Sequence, residues 1–245
     1  MLAIAAIVWY HISARRASVF GRKTKHTAKG SSCGMLLPSV SYAGVLRKEN
    51  LMNQKNTNTQ KIVGLGLFTA IVVVLQLLGS FIKFGTFSVS LVLVPVVIGA
   101  ALYGAGAGAW LGFVFGVVVL LSGDAAAFLG VNALGTILTV LAKGALAGLV
   151  SGLVYKAIEK KNRTLAVAMA AVTCPVVNTG VFLIGCKLFF METITGWGEA
   201  LGYADVGNYI IYVLVGGNFL FELLFNAVLS PVILRLIRIG KKEVE

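Results

Sequence analysis

The sequence predicts an all-α, polytopic membrane protein of six transmembrane helices with both termini cytoplasmic, and three observations predict it. Hydrophobic residues fill 58% of the 245 positions and charged residues only 12%, at a mean hydropathy of +0.92; a soluble domain carries about 25% charged residues. Six mainly apolar runs approach the roughly 20 residues that a bilayer-spanning helix requires. Positive charge gathers at alternate connections between those runs, as it does where Lys and Arg are retained on the cytoplasmic side.

The chain opens with a segment outside that pattern. Residues 1–60 hold nine Lys/Arg and one acid, for +8, while the remainder holds twelve basic and eight acidic residues, for +4. Basicity concentrated beside an apolar body matches anionic lipid headgroups, and nucleic acid is not an expected partner. Residues 1–9 are apolar but too short to span, and the basic residues follow them, the reverse of a secretory signal. Residues 10–60 are polar, basic and without periodicity, the composition of a disordered extension. A translation start set too far upstream also fits, because Met52 opens a polar leader into the first span; a transit peptide fits the scarcity of acids but not the apolar start. The expected domains are this extension, 1–60, and a membrane-embedded six-helix domain, 61–242.

The expected spans are Val63–Ile82, Phe87–Tyr103, Ala105–Leu121, Ala133–Tyr155, Leu165–Phe190 and Tyr209–Leu234. Arg47, Lys48, Lys55 and Lys61 precede the first. Lys156, Lys160, Lys161 and Arg163 separate the fourth from the fifth, and Arg235, Arg238, Lys241 and Lys242 follow the sixth. Those three clusters require an even number of crossings between them, which six spans with both ends inside provide. The opposite connections carry Asp124, Glu192, Glu199 and Asp205, so the outer face is acidic.

Within the spans, Gly104, Gly108, Gly112 and Gly116 form one stripe and Gly144, Gly148 and Gly152 another. In lipid, a face stripped of side chains lets backbones approach and gain dispersion contacts, either inside the bundle or against a partner. Gly66 and Ala70 add a shorter pair in the first span. Trp110 and Tyr103, at span ends, suit interfacial anchors.

Polar side chains at membrane depth carry more information, because a charged group at a helix centre costs about 2.5–3.5 kcal/mol on insertion scales. Lys143 lies about 15 Å into the fourth span and Glu222 about 20 Å into the sixth, at 1.5 Å per residue. The two depths allow either a structural ion pair or a shared ligand site. Asn218, Glu222 and Asn226 follow i, i+4, i+8 and share one helix face. Asn178 stands three residues after Pro175, whose missing amide leaves a carbonyl unpaired. With Lys143 and Asn218 at similar depth, these residues outline a polar cavity. The outer connections add Lys83, Asp124, Asn132, Trp197 and Tyr203; the eighteen residues from Met191 to Asn208 are long enough for a lid or binding element. Trp197 suits that role or an interfacial anchor. The expected substrate-binding residues are therefore Lys143, Asn178, Asn218, Glu222, Lys83, Asn132 and Trp197.

Catalysis is not expected, nor is a metal or cofactor. No phosphate-binding Gly-x-x-x-x-Gly-Lys-Ser/Thr loop occurs, so the chain does not energise transport through that machinery. His11 and His26 lie in the extension, and Cys33, Cys174 and Cys186 do not form a metal spacing. The spans carry no cluster of acids, histidines or an activated nucleophile.

With these features in place, the region from Lys61 to Lys242 resembles the substrate-binding S components of energy-coupling factor (ECF) vitamin transporters. The resemblance rests on the six-span layout, on SVSLVLVPVVIGAALYGAGAGAWLGFVFG at Ser88–Gly116 and on CPVVNTGVFLIG at Cys174–Gly185. It implies a multi-pass subunit of an ECF-type ABC importer in the bacterial plasma membrane, capturing a vitamin or related micronutrient from outside for ATP-driven uptake. It also implies partners: a membrane coupling (T) subunit and two ATPase subunits. An Ala-x-x-x-Ala motif in the family's first helix contacts the coupling subunit; the matching place here reads Gly66-Leu67-Phe68-Thr69-Ala70, a conservative departure. The vitamin stays open. Lys143, Lys83 or Lys187 would suit the carboxylate of pantothenate or folate, whereas Trp197 and Phe189 would suit a flavin or pterin. Two rival readings are a self-sufficient secondary transporter, which would show internal repeats and paired broken helices, and a ligand-free membrane assembly protein using its glycine faces only for packing.

Overall fold

Apolar runs without water around them satisfy their backbone groups internally, and helices are how this chain does so. In the computed structural model the backbone is described over residues 42–81, 83–84, 87–88 and 91–244, and the side chains over 59–81 and 91–240. The chain divides into two units, Met1–Arg47 and Lys48–Glu245; the apolar helices and the site lie in the second. Of the expected extension, residues 1–41 lie outside the described residues, and from Tyr42 the backbone is helical and continues into the first expected span.

The order is α1 (Tyr42–Gly79), a two-residue ladder of β1 (Lys83–Phe84) and β2 (Phe87–Ser88), α2 (Leu93–Tyr103), α3 (Ala105–Leu121), α4 (Ala126–Leu129), α5 (Ala133–Ile158), α6 (Arg163–Phe189), α7 (Met191–Ala200), α8 (Val206–Tyr209), a π-helical stretch at Ile210–Val215, and α9 (Gly216–Val244). Among the described residues, four stretches are long and apolar enough to cross a membrane: Thr59–Gly79, Ala133–Ile158, Arg163–Phe189 and Val206–Gly240. The second and third expected spans are the shorter apolar helices α2 and α3, of 11 and 17 residues. At 1.5 Å per residue they reach about 17 and about 26 Å, short of a hydrocarbon core of about 30 Å. Phe87 and Ser88, expected to open the second span, instead pair with Phe84 and Lys83; the alternation Phe87-Ser88-Val89-Ser90 has the period of a strand.

α2 is buried continuously from Leu93 to Ala101, encased by α3, α5, α6 and α9, which explains its being apolar all round. Between α2 and α3 the chain turns on one residue, Gly104, at φ +99°, a conformation that side chains with a Cβ rarely adopt.

The two glycine stripes meet each other. A Cβ on Gly112 would strike the carbonyl oxygen of Gly144, one on Gly148 that of Gly108, and one on Gly116 would lie 2.8 Å from the carbonyl oxygen of Val140. α3 and α5 therefore touch backbone to backbone along most of their length, the close approach that small residues permit in lipid. α6 lies against α5, and α9 against α6 and α2. Pro175 does not end α6, and Pro231 lies inside α9.

The connection Met191–Asn208 is not an irregular loop. It folds as α7 and α8, whose apolar side packs with Phe128, Cys186, Phe190 and Leu214 into a second core.

Candidate functional site

A cavity of about 60 Å³ lies between the helices, and every apolar helix except α2 contributes a side chain to its wall. α1 supplies Gln76, α3 Phe115 and Val119, and the turn after α3 Asp124 and Ala125. α5 supplies Thr136, Thr139, Val140 and Lys143, α6 Asn178 and Phe182, and α9 Asn218 and Glu222. Helical spacing explains these groupings: i, i+3, i+4, i+7 on α5 and i, i+4 on α6 and α9 each fall on one face.

The preceding π-helical stretch helps aim α9. A π turn takes one residue more than an α turn, and so rotates everything after it relative to an unbroken α-helix. A Cβ on Gly216, where the π stretch ends, would strike the carbonyl oxygen of Ile211, so glycine suits that position. Two residues later Asn218 faces the cavity, with Glu222 one turn beyond.

The polar groups are arranged in two poles. At the first, Asp124 Oδ2 accepts from Gln76 Nε2 at 2.8 Å, Ser80 Oγ at 2.7 Å and Ser122 Oγ at 2.9 Å. At the second, Asn218 Nδ2 donates to Glu222 Oε1 at 3.3 Å, and Asn226 Nδ2 donates to the Glu222 carbonyl at 2.8 Å. The Lys143 ammonium stands over the Phe182 ring, 5.2 Å from its centroid, within a contact range that attracts a cation to a π face. Phe128 packs edge-on against Phe182, Phe190 and Trp197, at centroid distances of 5.7, 5.1 and 5.6 Å.

Four side-chain oxygens on lining residues are buried without a hydrogen-bond partner: Gln76 Oε1, Thr139 Oγ1, Asn178 Oδ1 and Asn218 Oδ1. Buried acceptors are normally matched in native folds, and an orphaned one costs about 1–3 kcal/mol. All four lie on the wall of one cavity.

Of the seven residues expected to bind substrate, Lys143, Asn178, Asn218 and Glu222 come together on this wall. Trp197 is one layer out, behind Phe128. Asn132 is not on the wall; its side-chain oxygen caps α5, accepting from the Gly135 amide at 2.9 Å. Lys83 lies in β1, and its side chain is outside the described residues. Lys187 and Phe189, the other residues considered for ligand contact, are exposed. Gly66 and Ala70 are exposed on α1, and a Cβ on Gly66 would touch nothing.

Gln76, Asp124, Thr136, Thr139 and the phenylalanines were not among the expected site residues. Gln76 had a legible signal, as an uncharged polar residue deep in an apolar run, the criterion that selected Asn178. The phenylalanines had none, since aromatic residues in a span are ordinary core.

The profile of a family described as "ECF transporter, substrate-specific component" matches residues 60–234. The chain belongs to that family. No curated protein and no solved structure matches it. As an ECF substrate-specific component it is a transporter component of the membrane and not a member of an enzyme family. The matched region runs from α1 into α9 and contains every lining residue of the cavity.

Proposed function

We propose that this ECF component captures a vitamin or related micronutrient in the cavity between α1, α3, α5, α6 and α9, and delivers it for ATP-driven uptake. The observation that carries the reading is the convergence of polar side chains from four apolar helices and the turn after α3 on one buried hollow. Such groups are expensive in lipid and are placed there for function. Lys143, Asn178, Asn218 and Glu222, with Gln76 and Asp124, are the proposed ligand contacts.

At about 60 Å³ the cavity is smaller than the roughly 300 Å³ at which ligand pockets begin. The ligand therefore enters as α7 and α8 swing away from Phe128 and Phe190, in the manner of lids that close over a bound molecule. α2 and α3 complete six crossings, with both termini cytoplasmic in the bacterial plasma membrane; the basic clusters around Lys160 and Arg238 support that orientation. The sequence holds no Gly-x-x-x-x-Gly-Lys-Ser/Thr phosphate loop, in keeping with a membrane coupling subunit and two ATPase subunits that supply the energy, and the open Gly66–Ala70 face of α1 is the proposed dock. Residues 1–60 precede this body as a basic extension.

Small-molecule mass spectrometry on the detergent-purified full chain tests the reading. The expected result is one retained micronutrient, released by denaturation and depleted in Asn178→Leu. A reproducibly empty protein that neither retains a micronutrient nor supports its uptake when coexpressed with the coupling and ATPase subunits would overturn it.

A further inference from the structure

Asp124 holds the first pole of the cavity together through a single oxygen. Gln76 Nε2, Ser80 Oγ and Ser122 Oγ all donate to Oδ2, at 2.8, 2.7 and 2.9 Å. A carboxylate oxygen offers about two lone-pair directions, so three donors leave Oδ2 no place for a fourth partner. The oxygen of Asp124 left for anything bound in the cavity is therefore Oδ1.

Each of the two hydroxyls has a second acceptor within reach, and the distances decide between them. Ser80 Oγ also lies 2.9 Å from the Gln76 carbonyl oxygen, and Ser122 Oγ 3.2 Å from that of Val119. A hydroxyl has one proton to donate, and the shorter bond, to a carboxylate, is the stronger. The Gln76 carbonyl loses nothing by this, since the Ser80 amide donates to it at 2.9 Å. Both hydroxyl protons thus go to Asp124.

Ser80 directly follows α1 and Ser122 directly follows α3, so the carboxylate is gripped from two elements at once. Asp124 in turn fixes Gln76. An amide that donates its NH₂ to a carboxylate cannot flip, because flipping would set oxygen against oxygen. Gln76 Oε1 is left buried and unmatched, on a side chain only 1% exposed. Neither serine lines the cavity itself.

We propose that Ser80 and Ser122 are positioning residues of the binding site: through Oδ2 they set the Asp124 carboxylate so that Oδ1, together with Gln76 Oε1, meets an N–H or O–H group of the bound micronutrient. The proposal rests on the substrate-binding reading of the same cavity, and adds two residues that act on the ligand only through Asp124. A plain tie between the ends of α1 and α3 would use the same bonds, and a double-mutant cycle separates the two roles.

The probe is whichever of riboflavin, pantothenate and folate the detergent-purified full chain binds in isothermal titration, or, where it binds none, the compound released on denaturation and identified by mass. Ser80→Ala should weaken that probe about tenfold, the scale of one hydrogen bond to a charged group. Ser122→Ala is the second variant should the first not fold, and Ser80→Thr, which keeps the hydroxyl, should recover most of the affinity. In an Asp124→Ala background, or Asp124→Asn should that chain not fold, Ser80→Ala should change affinity by less than about twofold, because the side chain it acts through is gone. Unchanged affinity in Ser80→Ala and Ser122→Ala, or the same loss with and without Asp124, overturns the positioning role while leaving the binding reading intact. A chain that binds none of the three and releases nothing overturns both.

Discussion

Asn132 and Asn178 are the same residue type at positions of similar promise in the sequence, and the structure gives them different work. Asn132 caps α5, where its oxygen satisfies an amide that the first turn leaves over. Asn178 is 5% exposed and lines the cavity with its oxygen unpartnered. Asn178→Leu is therefore expected to weaken binding of the retained ligand about tenfold, the equivalent of one hydrogen bond, while the bundle still folds. Asn132→Ala should lower stability by about 1 kcal/mol with affinity unchanged. Titration calorimetry and thermal unfolding on both variants check the pair; unchanged affinity in Asn178→Leu would remove that residue from the site. Polarity at depth made Asn178, Asn218, Lys143 and Glu222 legible in the sequence. A cap and a cavity-lining residue cannot be told apart there, because both require only an asparagine near a helix end or face.

At the scale of elements, the four-residue glycine spacing foretold two smooth faces but not that they face one another. The α3–α5 contact leaves no room for a methyl group at Gly112, whereas a Cβ on Gly106, on the same helix, would touch nothing. The two positions should respond with opposite sign. Gly106→Ala removes backbone entropy from the unfolded chain and should stabilise the protein by about 0.5–1 kcal/mol. Gly112→Ala forces backbone apart along the tightest helix pair and should destabilise it by about 1–3 kcal/mol. Thermal unfolding in detergent reads both, and equal melting temperatures would contradict the packing. Since the stripes are occupied by each other, neither is free to dock a partner. The π-helical stretch before α9 was not legible, because the hydropathy of Ile210–Val215 is the same whether the turn holds one residue more or fewer.

For the whole molecule, the face of α1 that carries Gly66 and Ala70 is open, with Leu67 and Val74 exposed beside it, while Gln76 on the same helix reaches the cavity. One helix thus borders both the cavity and the proposed dock. Gly66→Leu should abolish uptake in cells that coexpress the coupling and ATPase subunits, yet leave ligand retention by the purified protein intact. Normal uptake would count against docking there. The change points into open space, so the fold should tolerate it.

Composition and the spacing of apolar runs determined that this chain is a multi-pass helical membrane protein, because the absence of water inside a bilayer leaves a backbone few other ways to satisfy itself. The boundaries of α3, α5 and α6 followed from the same patterns to within a few residues. Tertiary structure alone decided that α2 is sheathed on all sides, that Met191–Asn208 folds into covering helices, and that Asp124 and Gln76 join Glu222 and Asn218 around one hollow. Those outcomes depend on which faces meet, and a periodicity along one helix carries no information about the partner across from it.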